Sequence, residues 1–166
     1  MISPRTLYLL IAATVLSGLL AGGNIDRAIV AMPAWEQVGA SAWAEFSRHA
    51  DLGTRLVLYP LEAIGALLLI LATAVSLHLG RTLKAHVALP LYSAVVLAAG
   101  GLLCTLKAAP IMLSVGHLSD PASLQQAFDG FRFWGDIRSV AQVLAFFATI
   151  WALAAVFGPD IRRLRT

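Results

Sequence analysis

Four long apolar runs, each long enough to cross a membrane as a helix, constrain the fold of this chain more than any other feature. They cover approximately residues 7–31, 55–79, 87–115 and 135–157. A helix of about 20 apolar residues crosses the hydrocarbon core of a bilayer. Only 13% of the 166 residues are charged, which is about half the fraction found in a soluble domain. The sequence therefore predicts an all-α protein with one domain, residues 1–166, built as a four-helix transmembrane bundle.

The segment 33–53, between the first two apolar runs, has the pattern of an amphipathic helix. Five apolar residues recur there every three or four positions: Trp35, Val38, Ala42, Phe46 and Ala50. Residues at that spacing share one face of a helix, and tryptophans such as Trp35 and Trp43 are enriched where a membrane meets water. We therefore expect a helix at the membrane interface, either as a lid over the end of the bundle or as a gate for a substrate. The segment 116–134 is expected to be a second loop.

The basic residues predict the orientation of the bundle. One side of a four-span arrangement carries Arg5, Arg81, Lys84, Arg162, Arg163 and Arg165, opposed there only by Asp160. Because Lys and Arg near membrane spans are retained in the cytoplasm, we expect both termini there and the two longer loops outside. The expected location is a bacterial inner (plasma) membrane. This placement accounts for the net charge of +3, so the expected partner is the lipid bilayer and not nucleic acid.

Three ionisable residues lie inside the apolar runs: Glu62, Lys107 and Arg138. Glu62 shares a helix face with Arg55 and Tyr59, which precede it by seven and three residues. A charge exposed to lipid costs roughly 2–3 kcal/mol even on the lenient insertion scale, so these groups are expected to face other helices. At 1.5 Å per residue, Glu62 and Lys107 each lie about 10 Å below the outer surface of the bilayer. Arg138 lies about one turn into the fourth run, in the same outer third.

Two interpretations of these charges stay open. In the first, Glu62 forms a plain ion pair with Lys107 or Arg138 that holds the helices in register. In the second, the charges line a polar pocket that opens outward. The first and fourth runs add further polar residues at this depth, namely Asn24, Asp26 and Gln142. Ionisable groups within a membrane mark functional sites by default, which favours the pocket.

The loops contain only weak candidates for metal ligands. His49 precedes Asp51 by two residues, and His117 precedes Asp120 by three. Neither pair matches a known ligand motif, and the chain has no phosphate-binding, nucleophile or zinc motif. The single cysteine, Cys104, excludes a disulfide within the chain. We therefore expect no metal and no other cofactor.

Short motifs spread over most of the chain resemble those of a known family. They read Asn24-x-Asp26-Arg27, Pro33-Ala34-Trp35, Gly39-(x3)-Trp43-(x2)-Phe46-(x4)-Asp51-Leu52-Gly53, Tyr59-Pro60-Leu61-Glu62 and Phe128-Asp129-Gly130-Phe131-Arg132-x-Trp134-(x3)-Arg138. They are similar to those of the anthrone oxygenase-like family of small four-helix membrane proteins, and in particular to its bacterial branch. Fungal members are associated with oxidising anthrones to anthraquinones without a recognised cofactor. The substrate itself does not carry over to this chain.

The resemblance implies roles for the polar residues. Glu62, or alternatively Asp26, would be the base that converts a substrate into a carbanion. Lys107 and Arg138 would stabilise the resulting enolate or phenolate, and Tyr59 would donate a hydrogen bond. The residues expected to bind the substrate are Asn24, Arg27, Trp35, Trp43, Arg55, Trp134 and Gln142.

These roles lead to two hypotheses from different classes. The first is a cofactor-independent membrane oxygenase or oxidoreductase, acting on a small apolar molecule that is acidic, phenolic or quinone-like. The second is a non-catalytic small-molecule-binding or accessory membrane subunit whose buried charges are structural.

Overall fold

All secondary structure of the computed structural model is helical in the part of the chain it describes, residues 2–81 and 83–163, with only the backbone for 158–163. The helices are α1 (Pro4–Ile25), a π-helical segment (Asp26–Ala31), α2 (Met32–Val38), α3 (Ala40–His49), α4 (Arg55–Leu79), α5 (Ala85–Ser114) and α6 (Pro121–Arg163). Four stretches are long and apolar enough to cross a membrane: Pro4–Val38, Arg55–Leu79, Ala85–Ser114 and Pro121–Phe157. The predicted all-α, four-helix membrane protein is confirmed, together with a short helix between its first two spans.

The first span is longer than predicted because Pro33 does not end its helix. The chain passes from α1 through the π segment into α2, and the backbone N–H that follows the π segment bonds to the carbonyl of Arg27. Pro33 lies in the first turn of α2, a position where proline is tolerated. The helix ends instead at Gly39, whose φ of 101° and ψ of 153° are accessible almost only to glycine.

The helix between the first two spans, α3, buries a different face from the predicted one. Its buried residues are Trp43, Ala44 and Ser47, whereas Phe46 is 39% exposed. The predicted periodicity runs through Gly39, where the backbone breaks. Residues before and after that break therefore do not share one helix face.

The fourth span begins at Pro121, so the predicted loop over residues 116–134 is wrong for most of its length. Asp120 accepts hydrogen bonds from the backbone N–H and the hydroxyl of Ser123, each at 2.9 Å, as a helix-capping residue does. Buried side chains then recur every three or four residues: Leu124, Ala127, Phe128 and Phe131. That spacing makes an apolar stripe on α6. The stripe packs on Trp43 of α3, whose ring lies 5.2 Å from one of these phenylalanines and 5.8 Å from the other.

The first and last spans are longer than a bilayer requires. At 1.5 Å per residue, the 35 residues of Pro4–Val38 and the 37 of Pro121–Phe157 extend over about 50–55 Å. The 25 residues of α4 extend over about 38 Å, close to the roughly 30 Å thickness of the hydrocarbon core. The extra length carries α2 and the start of α6 to the end of the bundle where α3 packs, which we call the α3 end.

Two apolar cores hold the bundle together. The core near the α4–α5 turn joins all four spans and is rich in small residues: Ala13, Ala74, Ala94, Ala98, Ala145, Ala148 and Ala152. Small residues let membrane helices approach closely. The core at the α3 end includes Met32, Trp43, Met112, Phe128 and Phe131 but, among the described residues, none from α4. Polar side chains therefore occupy the space between α4 and the other spans at that end.

The predicted orientation can be tested by cysteine accessibility. Gln37 is exposed near the end of α2, and His86 is exposed at the start of α5, at the opposite end of the bundle. In a Cys104→Ala background, we expect a membrane-impermeant maleimide to label Gln37→Cys in intact cells and to leave His86→Cys unlabelled, because the basic α4–α5 turn favours the cytoplasm. The reverse pattern would contradict the orientation.

Part of that orientation rests on residues at the end of the chain. The side chains of Arg162, Arg163 and Arg165 lie outside the described residues. The labelling experiment therefore tests the orientation independently of them.

Candidate functional site

A small polar cavity lies at the α3 end, between the first span and α4, α5 and α6. It encloses about 30 Å³. We call this space the polar cavity. It is lined by Leu20, Gly23, Asn24, Arg27, Tyr59, Ala63, Thr105, Arg138 and Gln142. Five of these belong to the predicted site: Asn24, Arg27, Tyr59, Arg138 and Gln142.

Arg27 reaches the polar cavity from the π segment. Its guanidinium lies 5.3 Å from the ring centre of Tyr59 and 5.2 Å from that of Phe131, distances typical of cation–π contacts. It also forms an ion pair and a hydrogen bond with Asp51. π-Helical turns are rare and occur frequently at functional sites. The π segment changes the helix register just where this arginine turns toward α4 and α6.

Asp51 is the carboxylate that organises the cations around the cavity. Its side chain is buried, with 6% exposed, and it accepts a hydrogen bond of 3.0 Å from the hydroxyl of Ser47. It pairs with Arg27 and, at 3.5 Å, with Arg55 of α4. Arg55 also lies over the rings of Phe46 and Tyr59, at 5.5 and 5.9 Å. One carboxylate thus joins the π segment, the end of α3 and the start of α4.

Arg138 enters the polar cavity from α6 without a carboxylate partner among the described residues. Its Nε donates a hydrogen bond of 3.2 Å to Oδ1 of Asn24. Asn24 is buried, and its own amide donates to the carbonyl of Leu20 at 2.8 Å. The hydroxyl of Ser139 lies 3.4 Å from the same Oδ1 atom. The guanidinium of Arg138 therefore has one neutral acceptor and further N–H groups that no described residue satisfies.

Counting the charges shows an electropositive site. The cluster contains three guanidinium groups, those of Arg27, Arg55 and Arg138, and one carboxylate, that of Asp51, which pairs with Arg27 and Arg55. Two positive charges are left uncompensated by the side chains that bond to this cluster. Burying charge away from water is unfavourable unless it is paired, so the site is complementary to an anion.

A larger groove adjoins the polar cavity on the other side of Arg27. Its volume is about 270 Å³. We call it the α2–α3 groove. It is lined by Arg27, Val30, Ala31, Met32, Ala34, Trp35, Val38, Trp43, Phe46, Asp51 and Arg55. Among these are the predicted substrate-binding residues Trp35, Trp43 and Arg55. Except for its charged end, this lining is apolar.

Four other predicted site residues lie away from both spaces. Glu62 is half-buried and Lys107 is exposed, and in the described part of the chain neither of them forms a salt bridge or hydrogen bond. Asp26 is exposed, and Trp134 is half-buried at the edge of the apolar core, against Phe133 at 5.3 Å. The structure thus brings Arg138, Tyr59 and the substrate-binding arginines together without the expected base.

The missing contact between Glu62 and Lys107 gives a testable prediction. Glu62→Gln and Lys107→Met should each have a small effect on thermal stability in detergent. Their effects on the free energy of unfolding should add to within about 0.5 kcal/mol, as they do for residues that share no partner. A coupling energy above about 1 kcal/mol in the double-mutant cycle would instead support the plain ion pair.

The loop residues considered as metal ligands have other partners or face water. No group of three or more His, Cys, Asp or Glu side chains that could hold a metal occurs in the described part of the chain. His49 contacts Glu45 at 3.2 Å, and His117 is exposed. Hydrogen bonds from the backbone and hydroxyl of Ser123 hold the pKa of Asp120 below its usual value. Asp120 therefore serves as a helix cap, and Asp51 as a counter-ion.

The sequence analysis missed three contributors to the site. Thr105 lines the polar cavity, and Phe131 carries Arg27 on its ring. The sequence predicts Asp51 as a weak metal ligand and as part of the family motif that begins at Gly39, and not as a counter-ion. Its spacing of four residues before Arg55 is the signal that could have identified it as a counter-ion, because oppositely charged residues four apart commonly pair.

Comparison with known proteins gives this chain no relatives. No protein family's sequence profile matches it, and neither the curated proteins nor the solved structures include a significant match. The residues and their geometry therefore carry the functional inference.

Proposed function

We propose that this four-helix membrane protein binds a small apolar molecule through its acidic or phenolic group, in the polar cavity at the α3 end. The observation that carries the proposal is Arg138, a guanidinium turned into a cavity between helices with no carboxylate partner among the described residues. Arg27 lines the same cavity, so two cations converge on one small space. We propose further that the α3 end faces outward from a bacterial inner membrane.

The groups around the cavity suit an anion. Arginine presents N–H groups in a planar fork that matches a carboxylate, and hydrogen bonds between charged partners are the strong ones. The hydroxyl of Tyr59 and the amide of Gln142 add donors to the same lining. A space of about 30 Å³ holds one or two waters, which is comparable to a carboxylate or a phenolic oxygen with one water. The rest of the ligand must therefore extend out of the cavity.

Oxygenation is a second candidate, favoured by the tyrosine and the two arginines at one cavity. Together Tyr59, Arg27 and Arg138 would stabilise the anionic form of a phenol or enol, as the resemblance to the anthrone oxygenase-like family implies. The carbanion would transfer one electron to O₂, and the two radicals would combine to a peroxide anion. This anion would take up the proton removed from the substrate, and loss of water from the resulting hydroperoxide would leave a carbonyl. Overall, a CH₂ group and O₂ give C=O and H₂O. The proposed bases Glu62 and Asp26 line neither space, so binding is the function that the geometry favours.

A pair of adjacent glycines on α5 provides the test. A Cβ atom added to Gly101 would lie 2.6 Å from Nε2 of Gln142, so this flexible side chain would have to move. A Cβ atom added to Gly100 would meet nothing within 4 Å. We expect Gly101→Ala to push the amide into the polar cavity and to weaken benzoate binding at least tenfold. Gly100→Ala should bind benzoate like the wild type.

Affinity would be measured by calorimetry on protein in a neutral detergent, with benzamide as the uncharged analogue of benzoate. Both alanine variants should remain folded, because replacing glycine within a helix favours the helix by about 1 kcal/mol. Equal benzoate affinity in the two variants, or equal affinity for benzoate and benzamide, would overturn the proposal.

A further inference from the structure

We propose that the α2–α3 groove binds the single aliphatic chain of a monocarboxylate, whose head group lies at Arg27 and in the polar cavity. The inference rests on the proposed binding function and not on oxygenation. It assigns a ligand class, a free carboxylic acid with one chain, that approaches from the membrane on the α3 side.

Arg27 makes the polar cavity and the groove two parts of one site. Its side chain lines both. On the cavity side are Arg138 and Tyr59, and on the groove side is Arg55. A carboxylate held by Arg27 would therefore place the adjoining carbon atoms at the start of the groove.

The groove has the shape of a chain site. Its lining runs along the helix from Arg27 to Val38, a rise of about 16 Å at 1.5 Å per residue. Two apolar residues on its edge, Val30 and Val38, are 61% and 65% exposed. Both belong to the first span, Pro4–Val38. The groove is therefore open along this edge, through which an amphiphile can enter sideways.

The aromatic residues favour an aliphatic chain over a flat ring. The rings of Trp35 and Phe46 pack against each other, with centres 4.9 Å apart and planes tilted by 37°. The ring of Trp43 is occupied by contacts with Phe128 and Phe131. No pair of these rings leaves a slot between parallel faces into which a flat molecule could insert.

The volume limits the ligand to one chain. The volume of the groove is about 270 Å³, slightly below the roughly 300–1,000 Å³ that small-molecule sites span. A phospholipid with two acyl chains and a phosphate exceeds this space. The distribution of charge also fits a ligand with one charged head group and one apolar chain. The cations lie at one end of the groove, and the remainder of its lining is apolar, apart from Asp51.

The walls of the groove are held in place from outside. Arg132 of α6 forms a salt bridge of 2.7 Å with Glu36 of α2. Arg48 of α3 donates hydrogen bonds to the carbonyls of Val115 and Leu118, at 3.3 and 2.6 Å. One wall is thereby tied to α6 and the other to the connection between α5 and α6, so the groove exists before a ligand binds.

The experiment compares binding of butyrate, decanoate, decanol and 2-naphthoate by calorimetry, on protein in phosphatidylcholine nanodiscs. In the wild type we expect decanoate to bind best, with affinity rising about three- to fourfold for each CH₂ group that enters the groove. Ala34→Phe would fill the groove, because Ala34 lines it. Gln37→Phe, at an exposed position outside the lining, is the matched control.

The expected result is that Ala34→Phe weakens decanoate at least tenfold and leaves butyrate unchanged, while Gln37→Phe changes neither. Four results would overturn the groove assignment: decanoate affinity equal in the two phenylalanine variants, decanol as tight as decanoate, 2-naphthoate tighter than decanoate, or competition by phosphatidylglycerol added to the nanodisc. If Arg138→Met leaves both butyrate and decanoate unchanged, the proposed function itself falls. The two failures are therefore distinguishable.

Discussion

Replacing Arg138 by methionine is expected to make the protein more stable and to weaken its binding of an anion. Arg138 is half-buried, and its one partner in the described part of the chain is the neutral oxygen of Asn24. Replacing buried charges by apolar side chains of similar volume can stabilise a protein by 1–4 kcal/mol, and we expect roughly 1–2 kcal/mol here because of the partial exposure. The hydroxyl of Ser139, which donates to the carbonyl of Gly135 at 2.8 Å, lies 3.4 Å from Oδ1 of Asn24 and can turn to donate to it. The anion loses a charged hydrogen bond worth about 1.5–3 kcal/mol, which is roughly 10- to 100-fold in affinity.

The matched control lies on the same helix. Arg132→Met breaks the salt bridge to Glu36, in which the two side chains are 36% and 57% exposed. Exposed pairs of this kind contribute about 0–1 kcal/mol, so this variant should be slightly less stable and should bind benzoate normally. Thermal unfolding in detergent and calorimetric titration give both readouts. The contrary result is that Arg138→Met lowers the free energy of unfolding by as much as it weakens the free energy of benzoate binding. In that case Arg138 would be a structural residue and not an anion site.

The sequence predicted the depth of the polar residues better than the direction in which they face. A helix rises by a fixed 1.5 Å per residue, so residues at similar distances from the span ends come to one level. That argument succeeds for Asn24 and Arg138, which bond to each other. Depth does not predict the direction in which Glu62 and Lys107 face, because the rotation of each helix about its axis depends on which of its faces packs. The small residues that pack, such as Ala63 and Ala108, stand directly beside these two charges.

Two features of the chain could not be predicted from apolar periodicity. The π segment changes the register of the first span, so the faces assigned to residues after Ile25 shift relative to α1. The first part of α6 contains Asp129, Gly130, Arg132 and Gly135, which weaken the signal of a helix. It is helical nevertheless, because its apolar stripe is covered by α3, a contact far apart in the sequence. Tertiary packing of this kind routinely overrides local propensity.

Removing the carboxylate of Asp51 is expected to have the largest destabilising effect in the molecule. Asp51→Ala leaves Arg27, whose side chain is only 12% exposed, and also Arg55 without a counter-ion. Breaking a buried ion pair from one side typically costs about 3–5 kcal/mol, since an uncompensated charge remains. The melting temperature of the variant in detergent should therefore fall well below that of Glu45→Ala. Glu45 is exposed, and hydrogen bonds from Arg48 and His49 lower the pKa of its carboxyl.

Two further measurements separate the loss of a counter-ion from general damage to the fold. In Asp51→Ala/Arg27→Met, most of the lost stability should return, because replacing both partners of a buried pair by apolar groups is often neutral. In Asp51→Ala alone, added benzoate should raise the melting temperature more than it does in the wild type, since an anion that binds only the folded state stabilises it by mass action. The vacated carboxylate position between Arg27 and Arg55 gives the added anion a second place to bind. A double variant less stable than Asp51→Ala, with no benzoate effect in either, would show that Asp51 supports the fold through Ser47 and not through the arginines.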